Sequence, residues 1–414
     1  MAGPLTGIRV LDFTWALAGP YGSMILTDLG AEVLKVERVG QSEEERGPGP
    51  YVQDFSTYFF SINRGKQSIA IDLKSPQGRE AIYAMVRRVD VVIENFTPGT
   101  MDRLGLGYET LRQINPGLVY ASCSGFGQWG PYAQKGAFDV IVQAMGGLMS
   151  ITGEPGGPPL RAGASVGDIL GGTFTALGVL AALVERARSG QGQYLDASML
   201  EAQVALLENA VVRHSATGAV PGPIGTRHPL ITPFQAFPTA DGYIVVAGVR
   251  DWVHFCTVLG RDDLAFDERF QTNPLRTQHH AALEPELTTT FRTKTTQEWI
   301  ALLESTGAAL TGPVNTVDKL FADPHLKERG TIVELPLPGD REGMLKVSNH
   351  PVKYSRTPTQ VDRPAPELGE HTERILREVA GLSDEAIAEL ERQGTIEQHR
   401  SGKERRRGGQ SVFG

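Results

Sequence analysis

The chain is short of several things that common chemistries require. Of its 414 residues only two are cysteine, Cys123 and Cys256. That is too few for a disulfide framework, and their spacing matches no metal site. Histidine is absent until His214, so no Ser-His-Asp or Cys-His arrangement fits within the first half. No G-x-x-x-x-G-K-[ST] loop occurs, since Gly65-Lys66 runs into Gln67, and ATP therefore has no visible phosphate cradle. The first strand-to-helix turn, Thr14-Trp15-Ala16-Leu17-Ala18-Gly19-Pro20, lacks the G-x-G-x-x-G pattern that a nicotinamide cofactor would call for. A net charge of −8 gives no reason to expect a nucleic-acid partner. The start, MAGPLTGIRVLDF, has no basic-plus-apolar leader. The most apolar segment, 169–184, falls below the roughly 18 residues of a bilayer span. A soluble, cytoplasmic protein without a membrane partner is expected.

What is present is alternation. Short β-branched runs (8–13, 32–37, 68–72, 89–93, 118–123) are interleaved with helical patterns (21–29, 76–88, 138–149). This order predicts an α/β fold with a doubly wound, Rossmann-like parallel sheet, and ligands then gather at the carboxyl ends of its strands. The large domain is expected over 1–216. A Gly/Pro-rich linker (217–233) leads to a small α+β domain (234–330), opened by an Asp241-Gly242 hairpin signal. Residues 331–400 return to the large domain, and 401–414 read as a disordered basic tail.

Asp168 carries the most chemistry. Gly163-Ala164-Ser165-Val166-Gly167 delivers a lone carboxylate to the start of an apolar helix, in which Leu170, Phe174, Leu177, Leu180, Ala181 and Val184 recur at helical spacing as its buried face. An Asp there is either an ordinary helix cap or a carboxylate nucleophile; the helix dipole would keep it ionised. Basic residues at predicted strand and loop ends (Arg38, Arg64, Lys66, Lys74, Arg103, Lys135) suit a ligand with several phosphates. Asn95-Phe96, just after a strand, offers an amide and an aromatic face for an adenine.

Together these blocks resemble the class III coenzyme A transferases, the family of formyl-CoA transferase and carnitine CoA-transferase. The carriers are AGPYGSMILTDLGAEVLKVER (18–38), INRGKQSIAIDLKSPQG (62–78), ENFTPGTMDRLGLGY (94–108), SGFGQWGPY (124–132), ASVGDILGG (164–172) and GQYLDASML (192–200). The resemblance runs from Gly7 to Thr372. It implies that Asp168 is the nucleophile and that CoA, as acyl-CoA substrate, lies against Ala16, Leu17, Arg38, Leu73, Lys74, Asn95, Phe96 and Arg103. It further implies an interlocked homodimer and small-molecule partners, an acyl-CoA and a carboxylic acid, with no metal, NAD or ATP. Leu17 stands where the formyl-CoA enzymes have glutamine, which argues against an oxalate-type acceptor. The family's CoA-contacting lysine aligns with Gly136, not with Lys135. The segment GTRHPLITPFQAFPTADGYIVV (225–246) is similar to the branch that exchanges succinyl-CoA with other dicarboxylates, of the succinate–hydroxymethylglutarate type. There Arg227 and His228 would meet a substrate carboxylate. Oxyanion donors are sought at the N–H groups of Gly171-Gly172 or in the linker loop. Two alternatives stand: an α-methylacyl-CoA racemase, which is similar in fold but places a histidine where this chain has Phe138, and a non-catalytic CoA-binding protein.

Overall fold

The computed structural model describes residues 3–40 and 46–399; the tail expected to be disordered lies outside them. Two compact units are present. One is built from the described residues up to Leu148, from Arg161–Ala216 and from Glu328 onward; the other comprises Met149–Leu160 and Thr217–Lys327.

The first unit is organised by a seven-stranded sheet. Its elements are β1 (Arg9–Asp12), α1 (Ala18–Asp28), β2 (Glu32–Glu37), β3 (Gln67–Ile71), α2 (Pro76–Val86), β4 (Val91–Glu94), β5 (Val119–Ser124), α3 (Asp139–Met145), α4 (Val166–Ser189), β6 (Tyr194–Ser198), α5 (Met199–Leu206) and β7 (Ile396–Glu397). The strand order is β7-β3-β2-β1-β4-β5-β6. All pairs are parallel except β7 with β3. This 3-2-1-4-5-6 core reverses direction between β1 and β4, the switch point where such sheets open a ligand crevice. Both faces are covered. Val10, Val33, Val91, Val119 and Ala121 join one buried cluster with Ala176 and Val179 of α4. The alternate residues Leu11, Leu34, Val92 and Tyr120 join the other with Ile82 and Met85 of α2. Strands buried on both sides read as continuous apolar runs, which is how they look in the sequence.

The main departure concerns α4. It spans 24 residues, longer than expected, and by length and composition alone it is long and apolar enough to cross a membrane. Its buried face is also not the expected one. Phe174, Leu177 and Val184 are 44%, 56% and 65% exposed, whereas Gly171, Gly172, Thr175, Ala176, Val179 and Ala182 are buried. Close packing selects the small residues. A Cβ on Gly172 would lie 2.3 Å from the carbonyl oxygen of Ala18, and one on Gly22 would lie 2.7 Å from that of Gly172, so α1 and α4 cross at backbone contact. The helix expected over 138–149 ends instead at Met145 and resumes at Leu148–Ile151, broken by Gly146 and by Gly147 with φ +85°.

The second unit has a three-stranded antiparallel sheet (Leu310–Pro313, Tyr243–Ala247, Gln235–Pro238), turned at Asp241-Gly242. Helices Trp252–Leu259, His280–Phe291 and Thr296–Thr306 cover it through Phe237, Val246, Phe255, Phe291 and Trp299.

Candidate active site

The carboxyl ends of β3, β2, β1 and β4 are neighbours in the sheet, and they carry most of the residues expected to hold CoA. Arg38 is exposed just past β2. Leu73 is half-buried and Lys74 exposed after β3. Ala16 and Leu17 follow β1; Asn95 and Phe96 follow β4, with Arg103 exposed on the next short helix. These eight residues, scattered over 16–103, thus follow the carboxyl ends of four neighbouring strands that include the two flanking the switch point.

The turn after β1 is held in an uncommon conformation. Ala16 has φ +62°, where a side chain crowds its own backbone. The side chain of Asn95 clips it from the neighbouring strand: Oδ1 accepts from the Trp15 N–H at 2.9 Å, and Nδ2 donates to the Trp15 carbonyl at 2.7 Å. The Asn95 amide thus spends one acceptor site and one of its two N–H donors on the turn. Beneath it, Asp12 accepts from the N–H and hydroxyl of Thr14 and the hydroxyl of Ser23, and pairs with Lys66 at 3.0 Å. Burial alone would raise its carboxyl, but Lys66, Lys35 and the hydroxyls hold it below the usual range.

Two expected phosphate ligands are consequently reassigned. Lys66 is buried against Asp12, and Arg64 is buried against Asp28 at 2.7 Å. Each is committed to a carboxylate of the β1–α1 unit, which no local pattern announces. Lys135 is exposed and lies over the Tyr132 ring at 5.5 Å.

Asp168 is the third residue of α4, half-buried in its first turn. It is not the cap. Ser165 occupies the N-cap position without a side-chain bond to the helix backbone, and the Gly167 N–H is satisfied by Oδ1 of Asp139 at 2.8 Å. Asp139, 6% exposed, pairs through Oδ2 with Nε and Nη2 of Arg161 at 3.0 and 2.9 Å and accepts from Gln143 at 2.8 Å. Gly167 leaves room for this: a Cβ there would sit 2.5 Å from Val142 Cγ2 and 3.1 Å from Asp139 Oδ1. Burial first, and the Asp139 charge second, push the Asp168 carboxyl up to about 7, against the pull of Arg161. The expectation that the helix dipole keeps it fully ionised is thereby corrected, because desolvation outweighs a partial charge.

Gly171 and Gly172 lie one turn inside α4, so their N–H groups belong to the helix, and they serve close packing against Met199 and Ala18. Sequence reading passed over Asp139 as a structural partner, and over Glu94, whose carboxyl at the end of β4 is pushed up to about 7 by burial. Nothing in the spacing signals either role. Among the described residues no cluster suited to a metal ion occurs.

Arg227 and His228 lie in the second unit. Arg227 Nε donates to the Ile224 carbonyl at 3.3 Å. The His228 ring tilts against Phe234 at 5.2 Å, and its Nδ1 accepts from the Leu230 N–H at 3.1 Å.

The chain is 39% identical to a succinate–glutarate CoA-transferase of Agrobacterium fabrum, over 91% of this chain and 96% of that protein. It is 41% identical to an acetyl-CoA:oxalate CoA-transferase of Acetobacter aceti, over 91% and 96%. Among solved structures it superposes on a CAIB/BAIF family protein from Brucella suis with a TM-score of 0.83 at 37% identity, covering 92% of this chain and 100% of that one. The model of "CoA-transferase family III" matches residues 5–372, and the chain belongs to that family, as an enzyme that moves CoA between an acyl-CoA and a carboxylic acid.

Proposed function

We propose that the chain exchanges CoA between succinyl-CoA and a second dicarboxylic acid, with Asp168 as the covalent carrier. The observation that carries this reading is the half-buried Asp168 carboxylate in the first turn of α4, beside Asp139, where burial pushes it up to about 7. A desolvated carboxylate is a better nucleophile than a solvated one, and a midpoint near neutrality leaves it ionised for about half of the molecules at pH 7. In the proposed sequence the Asp168 oxygen bonds to the acyl carbon of the donor, and the CoA thiolate leaves with the C–S electron pair. The thiolate attacks the side-chain carbonyl of the mixed anhydride, which expels the donor acid as its carboxylate. The incoming acid then attacks the aspartyl-CoA thioester, and returning thiolate takes the new acyl group and restores Asp168. One thioester replaces another, so no phosphoryl energy is consumed.

The CoA nucleotide is proposed to lie along the strand ends, against the backbone of Ala16 and Leu17, the apolar faces of Leu73 and Phe96, and the charges of Arg38, Lys74 and Arg103, while Asn95 shapes the turn. No metal, NAD or ATP takes part in the proposed cycle. The dicarboxylate reading is supported by the succinate–glutarate relative; the equally similar oxalate enzyme keeps acid length as the quantity to measure. Arg227 and His228 are proposed to meet the distal carboxylate. Incubation with succinyl-CoA and a panel of free acids, with mass analysis of the CoA products, tests the assignment. Glutarate-length diacids should give product, and Arg227→Ala should lower kcat/KM for them by about 10- to 100-fold while sparing monocarboxylates. Product from monocarboxylates alone would overturn it.

An interlocked homodimer is part of the proposal. The exposed Phe174, Leu177 and Val184 give α4 an apolar face suited to a second copy. The proposed compartment is the cytoplasm, where unpaired buried thiols such as Cys123 and Cys256 are kept reduced.

A further inference from the structure

The incoming acid is an anion, and the aspartyl-CoA thioester that it attacks stands beside a second carboxylate, Asp139. The Asp139 charge opposes that approach, so a cation is needed to offset it. Arg161 is in place to do so, since its charge is felt at Asp168. Its guanidinium is also fixed in advance: Nε and Nη2 hold Oδ2 of Asp139, and Nη2 reaches Ser165 Oγ at 3.0 Å. Among the described residues the remaining nitrogen, Nη1, meets only the Gly163 carbonyl at 3.4 Å, and the side chain is 40% exposed. One edge of the fork is anchored, and the other is open.

We infer that Arg161 presents its Nη1 edge to the reacting carboxylate of the free acid and orients it for attack at Asp168. This rests on the aspartyl-transfer reading above. One acid oxygen bonds to the Asp168 acyl carbon as the C–S bond breaks and thiolate departs with the electron pair; the other oxygen stays on the guanidinium. Arginine suits the task because it keeps all its protons and offers donors at fixed angles. Every carboxylic acid carries the reacting group, so Arg161 sets affinity for acids as a class. Discrimination by length belongs to residues that meet the far end.

The test compares wild type with Arg161→Gln and Arg161→Lys, each at its own pH optimum, varying glutarate, butyrate and succinyl-CoA in turn. Binding of glutarate and butyrate is measured in parallel by ligand-observed NMR with CoA present, in Asp168→Ala and in that variant combined with Arg161→Gln or Arg161→Lys. In Arg161→Gln, KM for both acids should rise by about 10- to 100-fold, the effect of losing a charged hydrogen bond, while KM for succinyl-CoA stays within about twofold. Arg161→Lys, which keeps the pairing with Asp139, should recover part of the loss. Acid binding in the Asp168→Ala background should weaken in step. Unchanged acid KM with only a moved pH profile would overturn the inference, because Arg161 would then act through Asp139 alone. Equal losses for acids and succinyl-CoA would overturn it as well. Absence of a covalent CoA adduct in wild type would refute the carrier reading, and the binding measurements would still decide Arg161 independently.

Discussion

Replacing Asp168 by Asn should abolish transfer and at the same time stabilise the protein, in a manner that depends on pH. The ordinary carboxyl value of 3.8 and the value of about 7 in the fold differ by about 3 pH units. At about 1.36 kcal/mol per unit, the ionised side chain costs the folded state about 4 kcal/mol at pH 8. This is a ceiling, since a half-buried group keeps part of its water. The sign follows from the protons. Between about pH 4 and pH 7 the folded chain holds a proton that the unfolded chain has released, so wild-type stability falls as pH rises through that window and stays lower above it. Asparagine has the same shape and no proton to lose. Calorimetry without acyl-CoA should therefore give Asp168→Asn a Tm several degrees above wild type at pH 8. At pH 5 the gap should shrink to less than half, since only about 1.6 kcal/mol of the cost has then accrued. A gap independent of pH, or an Asn variant less stable at pH 8, would refute the reasoning that burial rather than a local defect raises Asp168.

The same titration governs rate: kcat/KM for acyl-CoA should climb through a midpoint of about 7 and be about a tenth of its plateau at pH 6. Asp139→Asn, which removes one of the charges raising Asp168, should move that midpoint to lower pH; a profile flat between pH 5 and 8 would contradict both statements. Asn95→Ala should release the Trp15-Ala16 turn and raise KM for acyl-CoA about tenfold, the loss of two part-buried hydrogen bonds. Calorimetric binding of CoA itself checks this, and unchanged affinity would show that the turn holds without its clip.

The frame of the fold was legible because its strands are buried on both faces. Glu32–Glu37 was readable residue for residue, and the reversal between β1 and β4 follows from alternation and short connections. The orientation of α4 was not legible. Leucine and phenylalanine periodicity points to Phe174 and Leu177 as core, but the inner face belongs to Gly171, Thr175 and Val179, because the crossing with α1 admits nothing larger. Hydrophobic pattern reports an apolar stripe without saying whether this chain or another molecule covers it. Charged residues misled for a related reason. Arg64 and Lys66 read as surface cations, and their acid partners Asp28 and Asp12 are distant in sequence, so the burial of both pairs is visible only in three dimensions. Asp168 stood out because glycines and a helix start frame it locally, whereas Asp139 and Arg161 gain their meaning only from the fold.

If Asp168 carries the transferred group, it can be caught there. The protein would be mixed with succinyl-CoA, quenched within a single turnover, digested and analysed by mass. The peptide containing Asp168 should gain the mass of CoA less water, hydroxylamine should convert this adduct to a hydroxamate, and glutarate should discharge it with release of glutaryl-CoA. Full turnover with no adduct on that peptide, or an adduct on any other residue, would contradict the carrier role of Asp168.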